Sequence, residues 1–258
     1  MSIHPTAIVE SGAELGADVT IGPFSIISDK VQIGDNTVIG PHVFIHPRTS
    51  IGSGCSIHAC AVLGDVPQDV AFKETESYVR IGSNCIIREG VTIHRGTKPE
   101  TTTQVGDHCF LMGYSHFAHN VRLGDHVIVV NGALVAGYVE VGDRAFISGN
   151  CVIHQFVKIG RMAMVGGGCA IGKDVPPFCT TLPGAMNTVT CLNVVGMRRA
   201  GIGNADRLAI KRAFDVLYRS GLNFSDAVAR IRQEHTSGPA LEFCEFVEAS
   251  ERGICKLR

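Results

Sequence analysis

The sequence predicts a mainly β protein, a parallel β-helix of hexapeptide repeats followed by a C-terminal α-helical region. Three observations indicate this fold class. An aliphatic residue returns every six positions from Ile3 to Ile171, glycine often follows it, and a small or β-branched residue often lies four positions after it. The apolar face of an α-helix recurs about every 3.6 residues, so a period of six excludes a helical repeat. Each unit is therefore a short strand and a corner, and three units close one triangular coil.

The repeat frame continues through two insertions. Its positions are occupied by Ile, Leu, Val or Phe, with three exceptions: Asp69, Thr75 and Pro99. The insertions occupy residues 64–80 and 96–104, and neither shifts the frame. Insertions at a solenoid corner form loops on one face, often the binding face. We interpret the first as a candidate binding loop that carries Gln68, or as a solvated loop, and the second as an ordinary exposed loop.

The repeat ends at the two prolines of DVPPF, which divides the chain into a β-helix over 1–177 and a helical region over 178–258. Start and stop signals predict four helices: Asn187 to Arg199, Asn204 to about Ser220, Ser225 to about His235, and Pro239 to near Gly253. The helical region carries 11 Lys and Arg against 8 Asp and Glu. This basic excess suits an acidic partner, but it is equally typical of a solvated helix surface.

Composition indicates a cytoplasmic protein. Half of the ten cysteines occupy the small inward position of the repeat, namely Cys55, Cys85, Cys109, Cys151 and Cys169. We expect them to be buried free thiols in a reducing compartment. The chain has no apolar run long enough for an integral membrane segment, and the repeat begins at residue 3, which leaves no room for a signal peptide. It also contains no nucleic-acid-binding motif and no NTPase-type phosphate loop.

The candidate catalytic stretch is LMGYSHFAHNVRL, residues 111–123, which holds His116 and His119 among apolar and small residues. An imidazole exchanges protons near neutral pH, so a histidine is suited to general acid–base catalysis. A histidine in such a setting is also commonly a structural residue. The stretch alone leaves both interpretations open.

Several stretches carry a resemblance to a known family over essentially the full length. They are IHPTAIV at the start, IREGVTIHRGT, HFAHN, IHQF, GKDVPPF and NVVGMRRAG, in this order. The chain resembles the UDP-N-acetylglucosamine O-acyltransferases, which begin lipid A synthesis. The resemblance implies a left-handed helix, a homotrimer, and transfer of a 3-hydroxyacyl chain from acyl carrier protein to the 3-hydroxyl of the UDP-sugar. It implies no metal and no cofactor, because the donor chain is carried on the phosphopantetheine of acyl carrier protein.

The resemblance also implies roles for individual residues. His119 matches the general base, His116 a histidine that positions the sugar, and Gly137 the glycine whose N–H meets the oxyanion. The matching substrate-binding residues are Gln68 and Asp69 in the loop, His154 and Gln155 in the groove, Asn193 and Arg199 at the nucleotide, and Gly167, where the family sets acyl length. A glycine leaves that groove open, which predicts an acyl chain above ten carbons. In a trimer the site would combine His119 of one subunit with the helical region of another.

The sequence departs from the best-known members of the family at several positions. Tyr138, Ala71 and Asn120 stand where histidine, lysine and aspartate are common, and Val195 and Ala200 replace charged residues. These departures leave the acceptor open between UDP-N-acetylglucosamine and a 3-amino analogue. Alternatives of other classes are a sugar N-acyltransferase of the third lipid A step, an acetyl-CoA-dependent acetyltransferase, a trimeric β-helix metalloenzyme, and an inactive scaffold.

Overall fold

The structure, a computed structural model, describes all residues from 1 to 258 and forms a three-faced solenoid with helices at its C-terminal end. The first face contains Ser2–Ile3, Thr20–Ile21, Val38–Ile39, Ser56–Ile57, Ile86–Ile87, Phe110–Leu111, Ile128–Val129, Phe146–Ile147, Met164–Val165 and Cys179–Thr181. The second contains Ile8–Val9, Ile26–Ile27, Phe44–Ile45, Val62–Asp65, Thr92–His94, His116–Phe117, Leu134–Val135, Val152–Ile153 and Ala170–Ile171. The third contains Glu14–Leu15, Gln32–Ile33, Thr49–Ile51, Tyr78–Ile81, Thr102–Val105, Arg122–Leu123, Glu140–Val141 and Lys158–Ile159.

Each strand pairs in parallel with the strand one coil later on the same face. The frame residues are in register, so Phe117 lies beside Val135 and Leu123 beside Val141. They point inward, and most are less than 5% exposed from Ile21 onward. Full burial of one such side chain contributes about 1.5–3 kcal/mol. The regular spacing of six thus explains both the strands and the continuous core.

The five cysteines of the inward position are buried, and all ten cysteines are free thiols. Their thiols donate to backbone carbonyl groups of the neighbouring coil, as Cys109 does to Gly124 at 3.2 Å. The prediction that they are small buried hydrophobic residues is confirmed. Burial raises the pKa of the Cys151 thiol, which keeps it protonated.

Three corners join the faces, and they differ in whether they carry insertions. The second corner, between the second and third faces, includes residues 118–121, 136–139 and 154–157. Both insertions leave the solenoid at this corner, because residues 66–77 and 95–101 each connect a second-face strand to a third-face strand. The third corner, between the third and first faces, has no insertion. All the long departures from the repeat are therefore on one edge of the solenoid.

The C-terminal region closes the solenoid with two short strands and helices. Helix α1 spans Val194–Arg199, α2 Asn204–Arg219, α3 Phe224–Glu234 and α4 Glu242–Glu248, with a 3₁₀ turn at Pro239–Leu241. The strands Thr188–Leu192 and Lys256–Leu257 extend the first face. None of the helices has both the length and the apolar character needed to span a lipid bilayer.

Several predicted helix boundaries were wrong in detail, and the fourth helix ends at Glu248 and not near Gly253. The predicted helix from Asn187 to Arg199 begins only at Val194, because Thr188–Leu192, a β-branched stretch, pairs antiparallel with Cys179–Thr181. The third helix is capped by Asn223 and not by Ser225, since the Asn223 Oδ1 accepts from the Asp226 N–H at 2.9 Å. Asn204 is the first residue of α2, and the capping position belongs to Gly203.

Candidate functional site

The second corner brings together most of the predicted site residues. His116 begins a short strand of the second face, and His119 lies in the corner segment that follows it. Gly137 occupies the same corner one coil later, and Gln155 occupies it one coil later again. Because successive coils are about 4.8 Å apart, these residues form one column. The repeat alone determines this arrangement, since 119, 137 and 155 differ by whole coils.

The imidazole of His119 lies directly against the backbone of Gly137. A Cβ atom built on Gly137 would be 2.4 Å from the His119 Cε1 and 2.7 Å from its Nε2, distances that no real side chain tolerates. Glycine is therefore required here for close approach. The Gly137 N–H donates to no group of the chain. The same is true of the N–H of Gln155, which occupies the equivalent position one coil later. A free amide thus stands beside an imidazole.

A hydrogen bond at Nδ1 orients the His119 ring. The His119 Nδ1 is 3.1 Å from the Asn120 Oδ1. The same oxygen accepts from the backbone N–H of Thr97 at 3.1 Å and from its hydroxyl at 3.0 Å. The ring also makes an edge contact with Tyr138, with the two centroids 5.3 Å apart. Thr97 belongs to the second insertion, which is exposed at residues 98–100 as predicted but contacts Asn120 through Thr97, a contact that the prediction missed.

His116 and His94 form a second, more buried pair at this edge. The His116 Nδ1 lies 2.7 Å from the Thr92 Oγ1, and the two rings are edge to face with centroids 4.9 Å apart. Burial, together with the neighbouring His116, lowers the pKa of His94 to about 4. Burial and His119 also lower the pKa of His116. Both rings are therefore neutral at neutral pH.

The first insertion is anchored beside this column by Arg95. The buried Arg95 guanidinium donates to both carboxylate oxygens of Glu74, at 2.7 and 2.8 Å, and to the Thr75 carbonyl at 2.6 Å. It also lies over the ring of Phe72, 5.4 Å from the centroid. A bidentate pair of this kind fixes orientation as well as distance. The loop that carries Gln68 and Asp69 is thus held by a contact that sequence analysis missed.

The loop residues themselves are accessible. Gln68 is exposed, and Asp69 is partly exposed with its Oδ1 accepting from the Ala71 N–H at 2.8 Å. At the far end of the column His154 is exposed, and the Arg252 guanidinium lies 3.2 Å from its Nδ1. The corner is therefore open to a ligand along its length.

Three predicted site residues lie elsewhere in the chain. Asn193 and Arg199 line a groove of about 760 Å³ on the first face, whose floor includes Phe110, Phe146 and Met164. The Asn193 side chain caps α1 and donates to the Met162 carbonyl at 2.9 Å. Gly167 lies at the first corner, where an added Cβ would meet nothing closer than 3.8 Å. Within one chain, these residues are not brought together with His119.

A second cleft, of about 950 Å³, lies on the third face beside the column. Asn120, Tyr138 and Phe156 form one wall of it, and charged residues of both signs line the remainder. His119 is not among its lining residues. The chain has no group of three His, Cys, Asp or Glu side chains arranged to hold a metal ion.

Family models match both parts of the chain. A model described as bacterial transferase hexapeptide (six repeats) matches residues 30–65 and 102–137. A model described as UDP N-acetylglucosamine O-acyltransferase, domain 2, matches residues 174–255. The first match falls on the solenoid and the second on its C-terminal end, in the order that the sequence predicts.

Relatives that align with the whole length of the chain share one description. The chain is 53% identical over 259 residues to an acyl-[acyl-carrier-protein]–UDP-N-acetylglucosamine O-acyltransferase of Chlamydia muridarum, covering 98% of this chain and 91% of the relative. It is 48% identical over 260 residues to the protein of the same description from Trichlorobacter lovleyi, covering 99% and 100%. Little of either relative lies outside the alignment, so the likeness is not confined to the repeat.

Solved structures agree with these relatives. The UDP-N-acetylglucosamine acyltransferase from Campylobacter jejuni superposes with a TM-score of 0.94 at 37% identity and covers 100% of both chains. That from Bacteroides fragilis gives 0.93 at 39% identity, covering 97% of this chain and 98% of its own. The fold is the left-handed parallel β-helix with a C-terminal helical region, as predicted. By sequence, by fold and by the order of its two parts, this chain belongs to the UDP-N-acetylglucosamine O-acyltransferase family.

Proposed function

We propose that this chain transfers a 3-hydroxyacyl group from acyl carrier protein to the 3-hydroxyl of UDP-N-acetylglucosamine, the first step of lipid A biosynthesis. The relatives' descriptions support the donor and the acceptor. The observation that carries the proposal is the contact between the His119 imidazole and the backbone of Gly137 at an open corner. It pairs a proton acceptor with a free amide donor, which is what acyl transfer from a thioester needs.

His119 acts as general base in this mechanism. Its Nδ1 faces the Asn120 Oδ1, which can only accept, so Nδ1 carries the proton and Nε2 is free. Nε2 removes the proton from the sugar hydroxyl as the hydroxyl oxygen attacks the thioester carbonyl. When the tetrahedral intermediate collapses, the carbon–sulfur bond breaks and the same proton passes to the departing thiolate. His119 therefore returns to its starting state in each cycle.

The remaining predicted residues bind and orient. The Gly137 N–H stabilises the oxyanion of the intermediate. His116, neutral and held by Thr92, positions the sugar. Gln68, Asp69, His154 and Gln155 border the same corner and bind the sugar and the start of the acyl chain. The enzyme supplies no cofactor of its own, because the phosphopantetheine belongs to acyl carrier protein.

We propose a homotrimer whose sites lie between subunits. The separation of Asn193 and Arg199 from His119 within one chain supports this assembly. A neighbour's first-face groove placed against the second corner would supply an amide and a guanidinium to the nucleotide. A guanidinium binds a diphosphate with paired donors. Residues 1–177 thereby serve catalysis, and residues 178–258 serve the nucleotide and the carrier protein, which meet in the cytoplasm.

Gly167 sets the acyl length in this proposal. The space around it supports a long chain, since an added Cβ would meet only the Gly149 carbonyl oxygen at 3.8 Å and the Ser148 Cβ at 3.9 Å, both at ordinary contact distance. We expect acyl chains of more than ten carbons to be preferred. Gly167→Met would fill this space and shift the preference to shorter chains, whereas a preference of the unaltered protein for ten carbons would contradict the assignment.

The test is acyl transfer from 3-hydroxyacyl carrier proteins of graded length, measured by mass spectrometry of the product. We expect a product with UDP-N-acetylglucosamine and its loss in His119→Ala. His4→Ala is the matched control, because His4 lies exposed in the first coil, where its Nδ1 is 2.9 Å from the Thr6 Oγ1. Product with the 3-amino sugar alone would correct the acceptor. No product with either acceptor would overturn the proposal.

A further inference from the structure

We infer that Thr97, Asn120 and Tyr138 form a hydrogen-bonded chain that locks His119 in the tautomer of a general base. Thr97 and Tyr138 then act as positioning residues for the reaction, although neither needs to touch the substrate. The inference rests on the proposed function and deepens it. It assigns a role to the second insertion and to two positions at which the sequence departs from the best-known members of the family.

The first step is the orientation of the Asn120 amide. A backbone N–H can only donate, so the Asn120 atom that faces the Thr97 N–H at 3.1 Å is the carbonyl oxygen. That oxygen is also the atom facing the His119 Nδ1. Nδ1 must therefore be the protonated nitrogen. The tautomer of His119 follows from a backbone group of the insertion loop.

The second step is the direction of the hydroxyl bonds. The Thr97 hydroxyl donates its only proton to the Asn120 Oδ1 at 3.0 Å. Its bond with the Tyr138 hydroxyl, at 2.9 Å, must then run from Tyr138 to Thr97. Every proton in the chain is thereby placed, from Tyr138 through Thr97 to the Asn120 oxygen, which the His119 Nδ1–H meets from the other side.

The third step is rigidity. Asn120 is only 7% exposed, and its backbone N–H donates to the Thr103 Oγ1 at 2.7 Å. Asn120 and Tyr138 both occupy left-handed corner positions, with φ of 61° and 59°. The Tyr138 ring is stacked on Phe156, with centroids 5.0 Å apart. Groups from three successive coils and one insertion therefore hold a single imidazole.

The hydrogen-bonded chain of Thr97, Asn120 and Tyr138 contains no charged group. A carboxylate at position 120 would stabilise the protonated imidazole and raise the pKa of its ring. An amide oxygen orients the ring without that charge. A variant with aspartate at position 120 should therefore need a higher pH for transfer than the unaltered protein.

The kinetic test compares variants that remove or restore one bond. Thr97→Val keeps the side-chain volume and the backbone N–H but removes the hydroxyl, so we expect kcat to fall about tenfold with KM within about twofold. Thr97→Ser is expected to restore kcat. Thr101→Val is the matched control, since its hydroxyl bonds only to Lys98 of the same insertion. Asn120→Asp is expected to move the acid limb of the kcat/KM profile up by about one pH unit.

A second measurement is independent of turnover. With ¹⁵N-histidine and His119→Gln for assignment, NMR of the unaltered protein is expected to show His119 protonated at Nδ1 only. In Thr97→Val only the backbone N–H still holds the Asn120 oxygen, so a minor Nε2-protonated population should appear beside the Nδ1-protonated form. An unchanged tautomer together with an unchanged kcat would overturn the inference. If the unaltered protein transfers no acyl group, the proposed function fails, and the tautomer experiment still decides whether the network orients the ring.

Discussion

The second and third corners share one backbone and use polar side chains in opposite ways. At the third corner an aspartate recurs coil after coil, and its carboxylate accepts from the backbone N–H of the preceding coil. The bonds run from Ala17 to Asp35, Ser83 to Asp107, Asp107 to Asp125 and Asp125 to Asp143, at 2.7 to 3.0 Å. At the second corner no polar contact is repeated in this way.

The difference teaches where function is located in a repeat protein. A contact that recurs every 18 residues stabilises the repeat as a whole and does not distinguish one coil from another. His119, Gly137 and Arg95 each make contacts found in a single coil or loop. The aspartates of the third corner thus form a structural ladder, and the second corner is a site. Substitutions should separate the two, since those at the second corner should change transfer and those of the ladder aspartates should change stability.

The largest expected effect is that of Gly137→Ala. The new methyl group would lie 2.4 Å from the His119 Cε1, so the ring, the corner backbone or both must move. Misplacement of the base and of the amide donor should lower kcat/KM by about 10²–10³-fold, with little change in thermal unfolding. Gly172→Ala is the control, because its nearest neighbour would be the Asn187 amide at 3.7 Å. Full activity of Gly137→Ala would place the reacting centre elsewhere.

The next largest effect is a loss of folding stability at acid pH, and it originates at His94. Its folded-state pKa of about 4 lies below the unfolded value of about 6.5. The unfolded chain therefore binds more protons in this window, and the protein loses stability as pH falls through it. For His94 alone the loss is roughly 2 kcal/mol of unfolding free energy between about pH 7.5 and pH 5.

Urea unfolding of the protein and of His94→Gln at both pH values measures this contribution. His116, His119 and His46 also disfavour the charged form of His94, and Asp65 opposes them. The shift in the pKa of His116 has the same sign but is present in both proteins. The variant should therefore lose less stability in acid than the unaltered protein. Equal losses would mean that His94 is not held neutral.

Sequence reasoning was most successful where contacts are local or periodic. The spacing of six placed the strand residues and the buried cysteines, because each follows from adding whole coils, whereas His119 and Gly137 were assigned through the family resemblance. It failed where a contact joins segments without a common period. Thr97 meets Asn120 and Tyr138 across 23 and 41 residues, and nothing in the second insertion indicates these partners.

The same limit explains the other errors. Arg95 was treated as part of a motif, and its role in holding the first insertion depends on Glu74, across 21 residues. Thr188–Leu192 was predicted as helix because its pairing with Cys179–Thr181 is invisible to a local pattern. Asn193 and Arg199 were assigned to the site through the family resemblance alone, and the single chain keeps them apart from His119.

A smaller effect is expected when the anchor of the first insertion is removed. Arg95→Gln loses both bonds to Glu74, so the loop with Gln68 and Asp69 should become less ordered. We expect KM for the UDP-sugar to rise about tenfold, with kcat changed less. Arg48→Gln is the matched control, since Arg48 makes a single contact with Glu76 of the same loop, at 3.2 Å. Similar changes in both variants would contradict a specific role for Arg95.

The smallest effect should come from the third corner itself. The Asp125 Oδ1 accepts from the Asp107 N–H at 2.8 Å, and Asp143 in turn accepts from the Asp125 N–H at 3.0 Å. Asp125→Ala removes one acceptor from an exposed backbone group and should lower the unfolding free energy by about 1 kcal/mol. The rate of acyl transfer should not change, because the aspartate ladder does not contact the second corner.

Asp125→Asn refines this last measurement. The amide keeps an oxygen for the Asp107 N–H but removes one of three like charges that lie about one coil spacing, roughly 4.8 Å, apart. Like charges directly opposite one another are destabilising, so Asp125→Asn should be as stable as the unaltered protein or slightly more stable. The difference between the alanine and asparagine variants in urea unfolding then measures the hydrogen bond alone. A loss of transfer in either variant would show that the two corners are coupled, and the distinction between ladder and site would fail.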